Sequence, residues 1–334
     1  MSSQNKLVSV VTGGAGFIGS HLVDRLLAEG DEVIVIDNYS TGRPENLAHI
    51  SDGSAIDVIE ADIASTDIAR HFEHAHRVFH LAALADIVPS INYPEHYYRA
   101  NVQGTFNVVE AAKNSSVNRF VYAASSTCYG IPDIYPTPES SQIQPQYPYA
   151  LTKNLGEQIV MHWAQVYGLS ALSLRLFNVY GLRSRTSGSY GAVFGVFLAQ
   201  KLAGKPYTVV GNGEQTRDFT YVTDVVDAFV STANSDVRGE CINVGSGNTY
   251  SVNRLVELLG GEVTYVPKRP GEPDCTFADT TKIEKLLNWS ARVPLEDGVR
   301  EMLEHIDYWR EAPVWTPDSI SDATRDWFKY LGDG

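Results

Sequence analysis

Short runs of β-branched and aliphatic residues recur through the first half of the chain, separated by longer stretches with helical spacing. The runs at 7–11, 33–37, 56–61, 78–81, 120–124 and 171–176 read as strands. Helical patterns occupy 16–28, ended by Gly30, and roughly 64–74, 94–114 and 149–167. Strands separated by helices imply parallel pairing, because a parallel connection needs a crossover. The expected fold class is therefore α/β, a doubly wound parallel sheet with helices on both faces.

After about residue 178 the rhythm breaks, and Gly181, Gly188, Gly191 and Gly195 suggest turns. Residues 218–233 and 241–244 read as a helix and strand that return to the sheet. The expected organisation is a dinucleotide-binding domain over 1–177, joined by about 215–245. A smaller α/β substrate lobe would be built from 178–214 and 246–334. Its tail, 313–334, carries Trp315, Trp327, Phe328 and Tyr330, expected to pack on a surface.

Composition narrows the function classes. Hydrophobic residues make up 43% and charged residues 20%, the balance of an ordinary globular protein. A net charge of −14 opposes binding to nucleic acid or an anionic membrane. The three cysteines, Cys128, Cys241 and Cys275, are too few and scattered for a disulfide framework or a zinc cluster, so no metal is expected. The opening residues lack a signal-peptide core and no run reaches membrane-spanning length, which points to the cytoplasm.

The sharpest motif is Thr12-Gly13-Gly14-Ala15-Gly16-Phe17-Ile18-Gly19, between a predicted strand and a predicted helix. Gly13 allows the tight turn, Gly16 lets the backbone approach a pyrophosphate, and Gly19 lets helix and strand pack closely. The helix N-terminus offers N–H groups and a positive dipole end to phosphates. Asp37 ends the next strand, where a ribose would lie. A carboxylate there accepts from a 2′-hydroxyl and repels a 2′-phosphate, so NAD is favoured over NADP. Asp62 and Ile63, after the third strand, are placed to meet the adenine, although a strand-end turn explains them equally.

Tyr149 and Lys153 form a Tyr-x-x-x-Lys pair that shares a helix face. An ammonium beside a phenol stabilises the phenolate, so Tyr149 could serve as a base. In a chain with 18 tyrosines such a pair arises easily by chance, and a surface pair is the plain alternative. Its place after the fifth strand of a dinucleotide fold is what raises it. Ser125, Ser126 and Thr127 follow the strand 120–124, at the mouth of the ligand crevice, as proton carriers or as simple caps.

Together these residues resemble the extended short-chain dehydrogenase/reductase family, in its nucleotide-sugar epimerase and dehydratase branch. Further markers are His80-Leu81-Ala82-Ala83, the Asn101–Thr105 run, Arg175–Gly181, Arg217-Asp218-Phe219 and Arg269-Pro270-Gly271-Glu272. The resemblance implies a Rossmann domain with Tyr149 as base, Lys153 as its partner and Ser125 as hydroxyl helper. It adds Phe17, Ile18, Asn38, Leu81, Ala82, Ala83 and Asn101 to the NAD contacts. Ser126, Asn178 and Val193 would meet the nucleotide sugar, a UDP-sugar, with Arg217 and Arg269 on its diphosphate and Glu272 on its ribose. Guanidinium suits phosphate oxygens, whereas surface ion pairs would be the bland role for both arginines.

Three departures from the family's pattern matter. Dehydratases of the family carry an Asp-Glu pair where this chain has Ser126 and Thr127, neither a useful acid or base at neutral pH. Thr276 stands where hexose-restricted epimerases have a bulky tyrosine, which leaves room for an N-acetyl group. Ala85 replaces a lysine found in some hexose epimerases. The expected activity is NAD-dependent 4-epimerisation, of UDP-N-acetylglucosamine/UDP-N-acetylgalactosamine first and UDP-glucose/UDP-galactose second. The competing readings are a dehydratase or other epimerase that starts by 4-oxidation, and a non-catalytic dinucleotide sensor. The family's pairing of helices suggests a homodimer through 94–114 and 149–167, with Phe106, Val109 and Ala112 as exposed-looking apolar positions.

Overall fold

The computed structural model describes residues 6–184 and 192–332. Strands β1 (Val8–Thr12), β2 (Glu32–Asp37), β3 (Ile56–Glu60), β4 (Arg77–His80), β5 (Arg119–Ser125) and β6 (Ala171–Leu176) are the first six of a seven-stranded sheet. The seventh, Cys241–Val244, lies beside β6, giving the order Cys241–Val244, β6, β5, β4, β1, β2, β3. Every pairing in this sheet is parallel. The chain builds one flank as β1, β2 and β3, then crosses over and builds the other from β4 onward. The order therefore reverses between β1 and β4, and a crevice opens at the carboxyl ends of these two strands.

Burial on both faces explains the near-continuous apolar strands. Alternate residues point to opposite sides. Val11 packs with Leu22, Leu26, Val225 and Phe229, from helix α1 (Phe17–Glu29) and the helix Val222–Ala233. Val10 packs with Val108, Val109 and Val160, from the helices Gly104–Asn114 and Pro148–Tyr167. A second core, with Phe194, Phe197, Tyr207, Leu255 and Trp309, holds the lobe that closes over the crevice.

Several elements differ from their expected form. The 64–74 segment is a 3₁₀ turn, Thr66–Phe72, rather than an α-helix. The 94–114 pattern divides into Pro94–Tyr97, a π turn Tyr98–Gln103, and Gly104–Asn114. The helix expected from 218 begins at Val222, because Phe219–Tyr221 pairs as a short strand with Asn178–Tyr180. Gly195 lies inside the helix Val193–Leu202 instead of in a turn, while Gly188 and Gly191 fall outside the described residues. Val109 and Ala112 are fully buried in the sheet-facing core, and of the three suggested apolar positions only Phe106 is exposed. Among the described residues no helix is long and apolar enough to cross a membrane.

Candidate active site

The crevice is a cavity of about 610 Å³ that runs from the glycine turn, past the ends of β4 and β5, into the lobe. Gly13 leaves no room for a side chain. With φ at +73°, a Cβ there would stand 2.7 Å from the Ala82 nitrogen. Gly19 packs closer still, since its Cβ would come within 2.1 Å of the Gly13 carbonyl oxygen. Gly16, Phe17 and Ile18 then present the first turn of α1 to the cavity, with no side chain capping that turn. A helix start aimed into a glycine-lined cavity is an anion cradle.

Asp37 closes the next wall. Its carboxylate accepts from the Ala15 N–H at 3.0 Å and the Tyr39 N–H at 2.9 Å. Burial pushes its pKa up, and the N–H donors of Tyr39, Ala15 and Asn38 oppose that shift. The cradle and a cavity-facing carboxylate held by its own backbone fit a dinucleotide with a free ribose hydroxyl. Asn38, Asp62 and Ile63 line the same end. Asp62 pairs with Arg99 at 2.7 Å and accepts from the Ala64 N–H at 2.9 Å.

Leu81, Ala82 and Ala83 line the floor beyond β4, and two buried polar side chains brace them. His80 lies between Thr12 Oγ1 at 2.7 Å and Thr105 Oγ1 at 2.9 Å. Thr105 donates its own proton to the Asn101 carbonyl, so His80 Nε2 donates to Thr105 and Nδ1 accepts from Thr12. Complete burial, helped by the charge of Lys153, holds His80 neutral. Asn101, expected to touch the cofactor, stands behind the wall. Its side chain accepts from the Leu84 N–H at 2.8 Å and donates to the Leu84 carbonyl at 3.0 Å. The π turn supplies that orientation, as such turns commonly do at working sites.

Tyr149 and Ser125 both line the cavity. Burial raises the pKa of the Tyr149 phenol, and a hydrogen bond with Ser125 lowers it. Ser125 also contacts Thr127 Oγ1 at 2.9 Å, a short hydroxyl chain at the end of β5. Ser126 and Thr127 face the cavity as well, and no carboxylate accompanies them in this run. Lys153 lies one turn along the helix, fully buried, with Nζ 4.3 Å from the centre of the Tyr122 ring. Desolvation pushes its amine down to about 7, with Glu157 opposing. Cys128 is buried behind them and its thiol is pushed up to about 12, chiefly by desolvation, so it is inert as an acid or base near neutrality.

The far end belongs to the lobe. Arg217 and Arg269 share one carboxylate, Glu272, at 3.5 and 3.7 Å. All three line the cavity, and together they leave one net positive charge there. Asn178 and Val193 also reach the cavity. Thr276 does not. Its hydroxyl donates to Asn178 Oδ1 at 2.7 Å and accepts from the Asp218 N–H at 3.1 Å, so it supports Asn178 from behind. Two residues that sequence reasoning left unassigned, Trp315 and Trp327, complete the wall.

The sequence and the fold are similar to those of known proteins. Residues 9–245 match the NAD dependent epimerase/dehydratase family. The chain belongs to that family. It is 35% identical to the UDP-glucose 4-epimerase of Mycolicibacterium smegmatis over 305 residues, covering 89% of this chain and 97% of the relative. Among solved structures, it superposes on the UDP-N-acetylglucosamine 4-epimerase from Methanobrevibacter ruminantium in complex with UDP-N-acetylmuramic acid. That match has a TM-score of 0.85 and 33% identity, covering 91% of this chain and 98% of the other. A UDP-glucuronic acid 4-epimerase from Bacillus cereus, solved with UDP-glucuronic acid and NAD, matches with a TM-score of 0.84 and 30% identity. It covers 90% of this chain and 99% of that structure. The protein is thus an NAD-dependent enzyme of the nucleotide-sugar epimerase/dehydratase class, with the doubly wound fold expected from its sequence.

Proposed function

We propose that this enzyme is a UDP-sugar 4-epimerase that interconverts UDP-N-acetylglucosamine and UDP-N-acetylgalactosamine, with UDP-glucose and UDP-galactose as a second pair. The observation that carries the reading is that Tyr149 lines the cavity together with Ser125, Ser126 and Thr127. Tyr149 would serve as the base, and the run after β5 carries Ser126 and Thr127 where elimination would need paired carboxylates. Dehydration is the second reading, and this composition of the β5 end disfavours it.

The chemistry NAD⁺ supplies when bound is reversible hydride transfer at C4 of the sugar. Tyr149 takes the proton of the 4-hydroxyl, with Ser125 holding that hydroxyl in line. Lys153, charged below its pKa of about 7, favours the phenolate through the shared low-dielectric interior. Arg217 and Arg269 hold the diphosphate while the 4-keto sugar turns over to offer the opposite face of C4 for return of the hydride, and Tyr149 gives the proton back to the 4-oxygen. Thr276, expected from the sequence to bound the sugar's C2 substituent, instead supports Asn178 from behind the cavity wall, so the N-acetyl sugar is proposed from the relatives rather than from this residue.

The relatives support this substrate class. They include a UDP-glucose 4-epimerase and a UDP-N-acetylglucosamine 4-epimerase. We further propose a homodimer through the helices Gly104–Asn114 and Pro148–Tyr167. Phe106 and Tyr167 are exposed there and both pack on Trp163, with ring centroids 5.6 and 5.4 Å away. The predicted setting is the cytoplasm.

Incubating the purified protein with UDP-N-acetylglucosamine, without added NAD, tests the activity. Proton NMR should show the 4-epimer growing in, and Tyr149→Phe should abolish it while NAD stays bound. A stable 4-keto product or an alkene would replace epimerisation with dehydration.

A further inference from the structure

The C-terminal segment does not simply cover a surface. The helices Pro317–Ala323 and Arg325–Leu331 form a small hook at the cavity edge. A capping box between Thr316 and Ser319, with Pro317 at the first helical position, starts the first helix. Buried Ile320 joins the lobe core, and the Trp315 carbonyl accepts from Gln200 Nε2 at 2.8 Å. The second helix packs on α2 (Ile87–Asn92), on the opposite bank of the cavity. The hook therefore spans the cavity from the lobe to the dinucleotide-binding side.

Trp327 is where that span meets the site. It is 2% exposed, lines the cavity, and donates its indole N–H to the Pro270 carbonyl at 2.7 Å. The Arg269 guanidinium carbon sits 5.4 Å from the ring centre, within cation–π range. The Tyr147 ring centre is 6.2 Å away at a tilt of 56°, and Tyr147 stacks nearly parallel to Tyr149 at 6.4 Å. Arg269, Trp327, Tyr147 and Tyr149 form one continuous row of planar groups. An indole N–H bonded to the backbone next to Arg269 fixes both the ring and the loop 269–272. The contact with the indole face holds the Arg269 guanidinium at the cavity wall, and guanidinium suits phosphate oxygens.

We propose that Trp327 is a positioning residue of the sugar-nucleotide site. It presents Arg269 to the diphosphate of the substrate and keeps Tyr147 against the base Tyr149. This rests on the diphosphate role assigned to Arg269 above, and the test separates the two.

The test uses the full chain with Trp327→Ala, Trp327→Phe and, as a control on the same helix, exposed Phe328→Ala. UDP affinity is measured by calorimetry, and KM and kcat are measured with UDP-N-acetylglucosamine. Trp327→Ala should weaken UDP binding and raise KM by about tenfold, the scale of a desolvated cation–π contact. NAD content should stay full. Trp327→Phe keeps a ring but loses the N–H, and should fall between. Phe328→Ala should match the parent.

Unchanged UDP affinity and KM in both Trp327 variants would overturn the proposal, as would a parent protein that does not bind UDP. A parent that binds UDP, loses affinity in Trp327→Ala and yet fails to epimerise this sugar would support the positioning role. It would reject only the choice of sugar.

Discussion

Lys153 carries a charge balance that reaches beyond catalysis. Burial lowers its amine from the ordinary 10.5 to about 7. Between those values the unfolded chain binds a proton that the folded chain does not, so stability rises with pH across that window. Below about pH 7 both states hold the proton, and the full cost of burying an ammonium remains. Tyr122 and Tyr149 have raised pKa values, which reverse the trend once pH passes the ordinary phenol range near ~10. The midpoint of urea unfolding should therefore rise from pH 7 to pH 9. Lys153→Met should flatten the rise, and a parent midpoint that falls over this range would contradict the assignment. The Tyr149–Lys153 spacing was legible in the sequence. That Ser125 shares the cavity with the Tyr149 phenol and lowers its pKa was legible only as a nearby hydroxyl, because proximity across a strand end and a helix is set by tertiary packing.

At the scale of elements, the glycine turn explains why the first strand and helix were the clearest part of the sequence. Its requirements are local, so the residues state them directly. Gly19→Ala would place a methyl 2.1 Å from the Gly13 carbonyl oxygen. Such overpacking costs about 1–3 kcal/mol and should open the turn. The variant should melt lower and purify with little NAD, measured by nucleotide release on denaturation. Full NAD content would contradict the account of the turn. The helical pattern over 94–114 was less legible. Its apolar spacing runs on unbroken, while the π turn at Tyr98–Gln103 serves Asn101, whose partner Leu84 is distant in sequence. The hook at 317–331 was missed as part of the site for a similar reason. Its Thr316-Pro317 helix start is readable, but nothing near Trp327 in the chain names Arg269 as its neighbour.

The whole molecule divides its work between a rigid sheet and a closing lobe. The order reversal between β1 and β4 opens the crevice, and the lobe brings its arginines to the far end. The net charge of −14 makes that local positive site stand out, and a field of that sign opposes polyanion binding in general. The apolar patch of Phe106, Trp163 and Tyr167 lies on the outer helices and is the proposed dimer contact. Light scattering should report twice the mass of the 36.7 kDa chain. Placing Glu at both Phe106 and Tyr167 should return it to one. A monomeric parent would remove the dimer from this account.

Epimerisation without net redox is the central claim, and the fate of the C4 hydrogen tests it most directly. UDP-N-acetylglucosamine deuterated at C4 should yield UDP-N-acetylgalactosamine that keeps the deuterium at C4, with no NAD added. Deuterium found at C6, or lost to solvent, would contradict it.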